Sequence, residues 1–262
     1  RTLGRDAVTA AVAVLSRRAR TTGEKVLMAN RAAFYGEALY IDLGNNRAVR
    51  ITAGAWEVVT PPRGLFRDWS HKLPLPEPVA PGNARRIFEF VNVKKEDREL
   101  FLNTLAAFYV PGVARPALVI TGPQGSGKSQ TGKRIKQTVD PAAPLLTMLP
   151  RKPDDLDLVL CANYLICFDN LSGIAPDVSD TLAGVMTGAA PQRRKLHTDS
   201  ELMTLNADVS LVFTSINALS NRPDFMERTL RIQLDRIEDS ARLADDELDQ
   251  AFAEALPEIL GG

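Results

Sequence analysis

The chain has 262 residues and a mass of 28.6 kDa, with 45% apolar and 24% charged side chains and 32 basic residues against 32 acidic ones. That apolar fraction excludes a disordered chain, and no apolar run is long enough to cross a bilayer, so no membrane partner is expected. The chain begins at Arg1 with no secretory leader, and it reads as a piece of a longer cytoplasmic protein.

Charge is balanced overall but not locally. Residues 1–31 hold seven basic side chains against Asp6 and Glu24, while Asp245, Asp246, Glu247 and Asp249 cluster near the far end. Opposed solvated helix faces account for this pattern as well as a binding surface does. The two cysteines, Cys161 and Cys167, lie in apolar segments without neighbouring histidines; they suit small core residues in a reducing compartment better than zinc.

From residue 6 to 33, Val8, Val12, Leu15, Val26 and Leu27 recur at helical spacing around a break at 21–23, which predicts two helices. The period then changes. Leu39–Leu43 and Ala48–Thr52 alternate around Gly44-Asn45-Asn46, a hairpin signal, and a third strand is expected at 56–59. Six prolines between 61 and 82 exclude a helix or central strand and read as a linker. Helical patterns resume at 84–91 and 94–110. Beyond Pro111-Gly112, apolar strands (117–120, 145–149, 164–168, 209–213) alternate with helices (from 128, 154–162, 177–188), the pattern of a parallel sheet covered on both faces.

Residues 122–129 read Gly-Pro-Gln-Gly-Ser-Gly-Lys-Ser, a complete phosphate-loop pattern placed between an expected strand and an expected helix. Gly122, Gly125 and Gly127 permit a backbone that aims N–H groups inward, with Pro123, Gln124 and Ser126 completing the turn. Lys128 would reach the β- and γ-phosphates of ATP, and the Ser129 hydroxyl would join the Mg²⁺ shell. Asp169 closes the apolar run Leu165-Ile-Cys-Phe and supplies the second Mg²⁺ carboxylate that this chemistry uses. Asn170 follows where a basic carboxylate often stands; its amide orients water but accepts no proton, so either the proton leaves by another route or the domain is a slow switch.

After the strand at 209–213, Asn217 is the chosen polar sensor facing the γ-phosphate. Arg228, near an expected helix end, is either a surface ion-pair residue or an arginine delivered to a neighbouring copy's phosphates. Between the two strands, Thr198-Asp199-Ser200 reads as the turn of a hairpin whose first strand carries Arg193, Arg194, Lys195 and His197. Such residues suit a nucleic-acid backbone, or equally a solvated edge protected from aggregation.

Taken in order, GPQGSGKS, ICFDN, the basic hairpin, FTSIN and MERTLR, all within 117–234, resemble superfamily 3 helicases, an AAA+ branch found in phages and mobile elements. The resemblance implies an α/β P-loop fold, a parallel sheet flanked by helices, with a small α+β N-terminal region. It implies nucleotide and Mg²⁺ ligation by Lys128, Ser129 and Asp169, a sensor role for Asn217 and a trans-acting role for Arg228. It also implies a pore hairpin at 193–206 touching DNA, above all through Lys195 and His197. The expected organisation is 1–83, an N-terminal helical and β-hairpin region with a Pro-rich linker; 84–234, the ATPase domain; and 235–262, an acidic helical segment and truncated lid. The function expected is an ATP-driven, hexameric DNA helicase of a phage or mobile element; an ATP-binding oligomeric scaffold without translocation is the alternative. A small-molecule kinase is disfavoured by the interposed basic hairpin.

Overall fold

The computed structural model describes residues 4–23, 28–189, 192–194, 202–204, 208–220, 222–238 and 245–262. Helix α1 (Arg5–Thr22) opens the chain, and Val8, Val12 and Leu15 along it are exposed. Over the described residues 28–33 the second helix expected there is not formed: Ala29 bridges to Phe66, and Ala32–Tyr35 is strand β1. The apolar pair Phe34-Tyr35 fits an edge strand better than a helix, and tertiary pairing decides short segments of this kind.

Strands β1, β2 (Ala38–Gly44), β3 (Arg47–Thr52) and β4 (Ala55–Val59) form an antiparallel meander in that spatial order. Asn45 and Asn46 adopt φ of 50° and 60°, the left-handed pair that a two-residue hairpin turn requires, and Gly44 pairs with Arg47 across it. Ile41, Leu43 and Val49 pack with Leu75 on one face of this sheet. Leu75 reaches it because the proline-rich stretch is seated rather than free: its N–H donates to Leu43 O (3.0 Å), and that of Leu73 to Pro141 O (2.9 Å).

Two 3₁₀ turns (Ala84–Glu89 and Lys95–Asp97) lead into α2 (Arg98–Phe108). The second sheet contains β5 (Ala117–Thr121), β6 (Leu165–Leu171), β9 (Ser210–Ser215) and β10 (Thr229–Gln233), all parallel, in the order β10-β5-β9-β6, while β7 (Gln192–Arg194) and β8 (Leu202–Thr204) pair as a separate antiparallel hairpin. Helices α3 (Lys128–Val139), α4 (Pro153–Ala162), α5 (Pro176–Met186), the short α6 (Pro223–Met226) and α7 (Asp245–Leu260) complete the chain.

Strand alternation sorts the core into two layers. Leu118, Ile120, Cys167 and Val212 face Phe101, Ile135 and Phe252 of α2, α3 and α7; Val119, Ile166, Phe168 and Phe213 face Leu156 and Leu182 of α4 and α5. Phe252 is fully buried, so the acidic C-terminal helix docks into the main core through its apolar side. Two expectations differ from what is found. The strand expected at 145–149 reduces to a single parallel bridge, Thr147 to Phe168, and β10 was not anticipated. The latter is half-buried at the sheet edge, and its brief alternation, Thr-Leu-Arg-Ile-Gln, is read only once β5 supplies the partner.

Candidate functional site: a phosphate loop and its acidic partner

The loop 122–127 joins the C-terminal end of β5 to the N-terminus of α3. Gly122, Gly125 and Gly127 have φ of 157°, 79° and 81°, and a Cβ on Gly122 would lie 2.6 Å from Leu234 O and 2.7 Å from Ser126 Oγ. Glycine is therefore required there by close approach as well as by backbone angle. Gly127 caps α3 in a left-handed conformation, and the first turn of the helix leaves N–H groups without intrahelical acceptors, a ready seat for an anion. Pro123 and Gln124 form the exposed tip.

Lys128 Nζ donates to the carbonyls of Gly122 and Pro123, each at 2.8 Å, holding the ammonium across the mouth of the loop. Burial lowers its pKa from the usual lysine value, and the Asp169 charge works the other way. Ser129 Oγ donates to both Asp169 oxygens, at 2.9 and 3.0 Å. Asp169 Oδ1 also accepts from Thr214 Oγ1 at 2.5 Å, while Thr214 Oγ1 accepts the Asn170 N–H at 2.8 Å. Helix α3 and strands β6 and β9 thus deliver Ser129, Asp169 and Thr214 to one point.

The remaining expected residues fall into three groups. Asn170 is exposed at a bulge in β6, with φ of 54°. Asn217 is exposed two residues beyond β9, and its carbonyl accepts from Ser215 Oγ (2.5 Å); a hydroxyl not singled out from the sequence, Thr214 Oγ1, touches Asp169. A hydroxyl at the last turns of the strand beside the Asp169 strand is the signal that would have found it.

Arg228 stands at the opposite end of the sheet. Thr229 pairs with Ala117 and Gln233 with Thr121, so roughly 13 Å of strand separates Arg228 from its own phosphate loop. Its guanidinium binds the Asp224 carbonyl (2.6 Å) and carboxylate. Arg193 and Arg194 lie on β7 (Gln192–Arg194), paired antiparallel with β8 (Leu202–Thr204); Lys195 and His197 lie outside the described residues.

A second ring of contacts holds the loop from behind. Asn92 Nδ2 donates to Ser126 O (3.2 Å) and Asp235 O (2.7 Å), and Ile237 N–H donates to Gly125 O (3.1 Å). Gln130 Nε2 reaches Asp245 Oδ1 (2.6 Å), linking the phosphate-loop helix to α7.

Two observations test the fit to a nucleotide with its metal. The Ser126 hydroxyl is buried inside the loop with no hydrogen-bond partner, an orphan that a phosphate oxygen would satisfy. Among the described residues no group of three or more His, Cys, Asp or Glu gathers into an all-protein metal site. One hydroxyl and one carboxylate beside an anion cradle is the donor set of a Mg²⁺ that takes its other ligands from phosphate and water.

The family described as actinomycete integrative conjugative element replication protein matches residues 84–262. Among solved structures, the apo C-terminal region of NrS-1 is 14% identical over 82% of this chain and 64% of that chain, with a TM-score of 0.54. A second structure of that region gives 15%, 88%, 64% and 0.52. The JCV helicase is 12% identical over 64% of this chain, with a TM-score of 0.43, and this chain spans 49% of its length. At these identities the NrS-1 likeness is one of fold. Among curated proteins no sequence matches.

Proposed function

The chain belongs to the family of actinomycete integrative conjugative element replication proteins, and from that premise we propose that it is an ATP-driven DNA helicase, hydrolysing ATP where copies of the chain meet in a ring, a hexamer. The observation that carries this reading is the convergence of Ser129, Asp169 and Thr214 beside a loop whose lysine and buried Ser126 hydroxyl await an anion.

In this reading Lys128 exchanges its two loop carbonyls for β- and γ-phosphate oxygens, and the α3 N-terminus and loop amides take the rest of the triphosphate. Ser129 and Asp169 would hold Mg²⁺, which when bound neutralises charge on the phosphates. Thr214 keeps the Asp169 carboxylate turned toward Ser129 and at the same time fixes the Asn170 backbone. The Asn170 amide orients the attacking water, and Asn217, two residues beyond the strand that carries Thr214, is the sensor of the terminal phosphate. Arg228 stands at the end of the sheet away from its own loop, and in this reading it exchanges its ion pair with Asp224 for a neighbouring copy's phosphates; an arginine supplied in trans is worth about 10³–10⁵ in rate. Residues 84–234 are the motor, 235–262 its lid and 1–83 an appended unit. The hairpin, with Arg193, Arg194, Lys195 and His197, grips the phosphate backbone of DNA in the cytoplasm.

Lys128→Ala is expected to abolish ATP hydrolysis and strand separation together; unwinding that survives the change would overturn the proposal. The exposed amide of Asn170 where a proton acceptor would speed hydrolysis favours a second reading, an ATP-binding scaffold that assembles without moving. Turnover measured with and without single-stranded DNA separates them, since only a motor is stimulated.

A further inference from the structure

A second site lies in the part of the chain that the family match leaves out. Strand β1 is an edge strand, and on it Phe34 and Tyr35 are 57% and 58% exposed, although aromatic rings of this size usually find cover. Both line a cavity of about 430 Å³ whose lining also includes Arg63 and Arg67. Both arginines are exposed, and among the described residues neither takes part in an ion pair; Arg67 does stack over Trp69 at 5.9 Å. The one acidic residue of the lining, Asp208, is neutralised by Arg115.

The cavity is built on a fixed floor. Trp69 Nε1 donates to Asn30 Oδ1 (2.9 Å), and Asn30 Nδ2 donates to the carbonyls of Cys161 (2.9 Å) and Asn163 (3.1 Å) at the end of α4. Tyr40 meets Tyr35 edge-on at 6.3 Å and props that ring. As consecutive strand residues, Phe34 and Tyr35 leave opposite faces of the sheet and so flank its free edge. Exposed rings on either side of an edge, with guanidiniums nearby, are the two components of a binding edge for single-stranded nucleic acid: bases stack on the rings while the arginines take phosphates, with little dependence on sequence.

Position adds a third argument. Asp208 lies four residues beyond β8, at the foot of the basic hairpin, and Gly112 N–H anchors it there (3.2 Å). Tyr164, which also lines the cavity, immediately precedes β6, so the cavity opens at the end of the parallel sheet opposite the phosphate loop. A strand held by the hairpin would pass this edge.

We propose that the β1 edge, flanked by Phe34 and Tyr35 and sharing its cavity with Arg63 and Arg67, is a base-stacking site for single-stranded nucleic acid, separate from the hairpin and from the nucleotide loop. It does not depend on ATP hydrolysis. The test is fluorescence anisotropy of a labelled oligothymidine with the full chain, in a background carrying Arg193→Ala and Arg194→Ala so that the hairpin's share is reduced. Adding Phe34→Leu and Tyr35→Leu, which keep apolar bulk but remove the rings, should weaken binding about tenfold or more. Adding Arg63→Ala and Arg67→Ala should flatten the dependence of log affinity on log salt by about 1.4, at about 0.7 for each lost phosphate contact to a single strand.

Binding of a fluorescent ATP analogue, unchanged in the hairpin, leucine and arginine variants, shows that the fold is intact. It also separates the two proposals: analogue binding lost by Lys128→Ala with oligothymidine binding retained is the pattern expected. Affinity unmoved by the leucine pair overturns the site. So does a leucine pair that alters particle mass but not oligonucleotide binding, the result for an edge that docks protein.

Discussion

Lys128 and Lys136 stand at the two ends of α3, each within reach of a carboxylate network, and the ends are finished differently. At the N-terminal end Lys128 rests on two loop carbonyls, Ser126 has no partner, and Ser129 and Asp169 pair through hydrogen bonds that a metal could replace. At the C-terminal end everything is closed. Lys136 Nζ bonds Asp140 (2.9 Å) and Leu165 O (2.6 Å), and Arg31 Nε bonds Asp140 (2.9 Å) while its other nitrogens reach Asp42 O, Leu73 O and Pro141 O. The Asp140 carboxylate further accepts the N–H groups of Tyr164 and Leu165. Charge alone does not mark a functional site; unspent hydrogen-bonding capacity does.

The largest effect is expected at the closed end. Burial works against the Asp140 charge, yet Lys136, Arg31 and the Leu165 N–H outweigh it and hold the carboxyl below the usual carboxylate range. Asp140→Asn leaves two buried cations short of their counter-charge and should cost about 3–5 kcal/mol in denaturant unfolding, with turnover per folded molecule preserved. Because the folded pKa is depressed, this stability is present above the unfolded carboxylate value and is lost as pH falls through the folded one. Stability of the parent should therefore drop as pH goes below about 4, and the Asn variant should show a flatter acid limb. A parent whose stability is level down to low pH would break the contrast.

At the open end the signs reverse. Lys128→Met removes an ammonium whose pKa burial already lowers, so the ligand-free chain should unfold within about 0.5 kcal/mol of the parent, while ATP turnover falls by about 10²–10³. A stability loss as large as that at Asp140 would place Lys128 among the structural charges.

The open end was legible because its chemistry forces a local pattern. Gly122, Gly125, Gly127, Lys128 and Ser129 are close in sequence, and Asp169 closes an apolar strand. The closed end was not, since Arg31, Asp42, Lys72 and Asp140 come from segments far apart in the chain and meet only after the meander packs on α3. Strand β1 was missed, its first two residues read as the end of a helix, for the same reason: its pairing with β2, not its own periodicity, sets its conformation. The Asn45-Asn46 turn succeeded because two left-handed residues are a local demand, and the two core layers followed from the continuous apolar strands.

Thr214 and Asn217 sharpen the comparison within the open end. Thr214→Val deletes one hydroxyl that serves both Asp169 and the Asn170 N–H, and a hydrogen bond to a charged group of this kind is worth about 1.5–3 kcal/mol. Steady-state turnover should fall by about ten- to a hundredfold. Asn217→Ala removes an exposed amide with no side-chain partner among the described residues, and a smaller loss is expected there. The reverse order would make Asn217 weigh more in turnover than the hydroxyl that supports Asp169.

Asn170 is the smallest test and the one that separates backbone from side chain. Its φ of 54° is a conformation that asparagine and glycine tolerate and glutamate does so at a cost, so the bulge itself favours Asn over a carboxylate at this point. Asn170→Gly keeps the backbone and deletes the amide. Unfolding free energy should shift by no more than about 0.5 kcal/mol, as for other exposed positions. If the amide orients the attacking water, turnover should fall about two- to tenfold, the worth of one neutral hydrogen bond. Unchanged turnover would mean that Asn170 is there to make the bulge and takes no part in orienting the water.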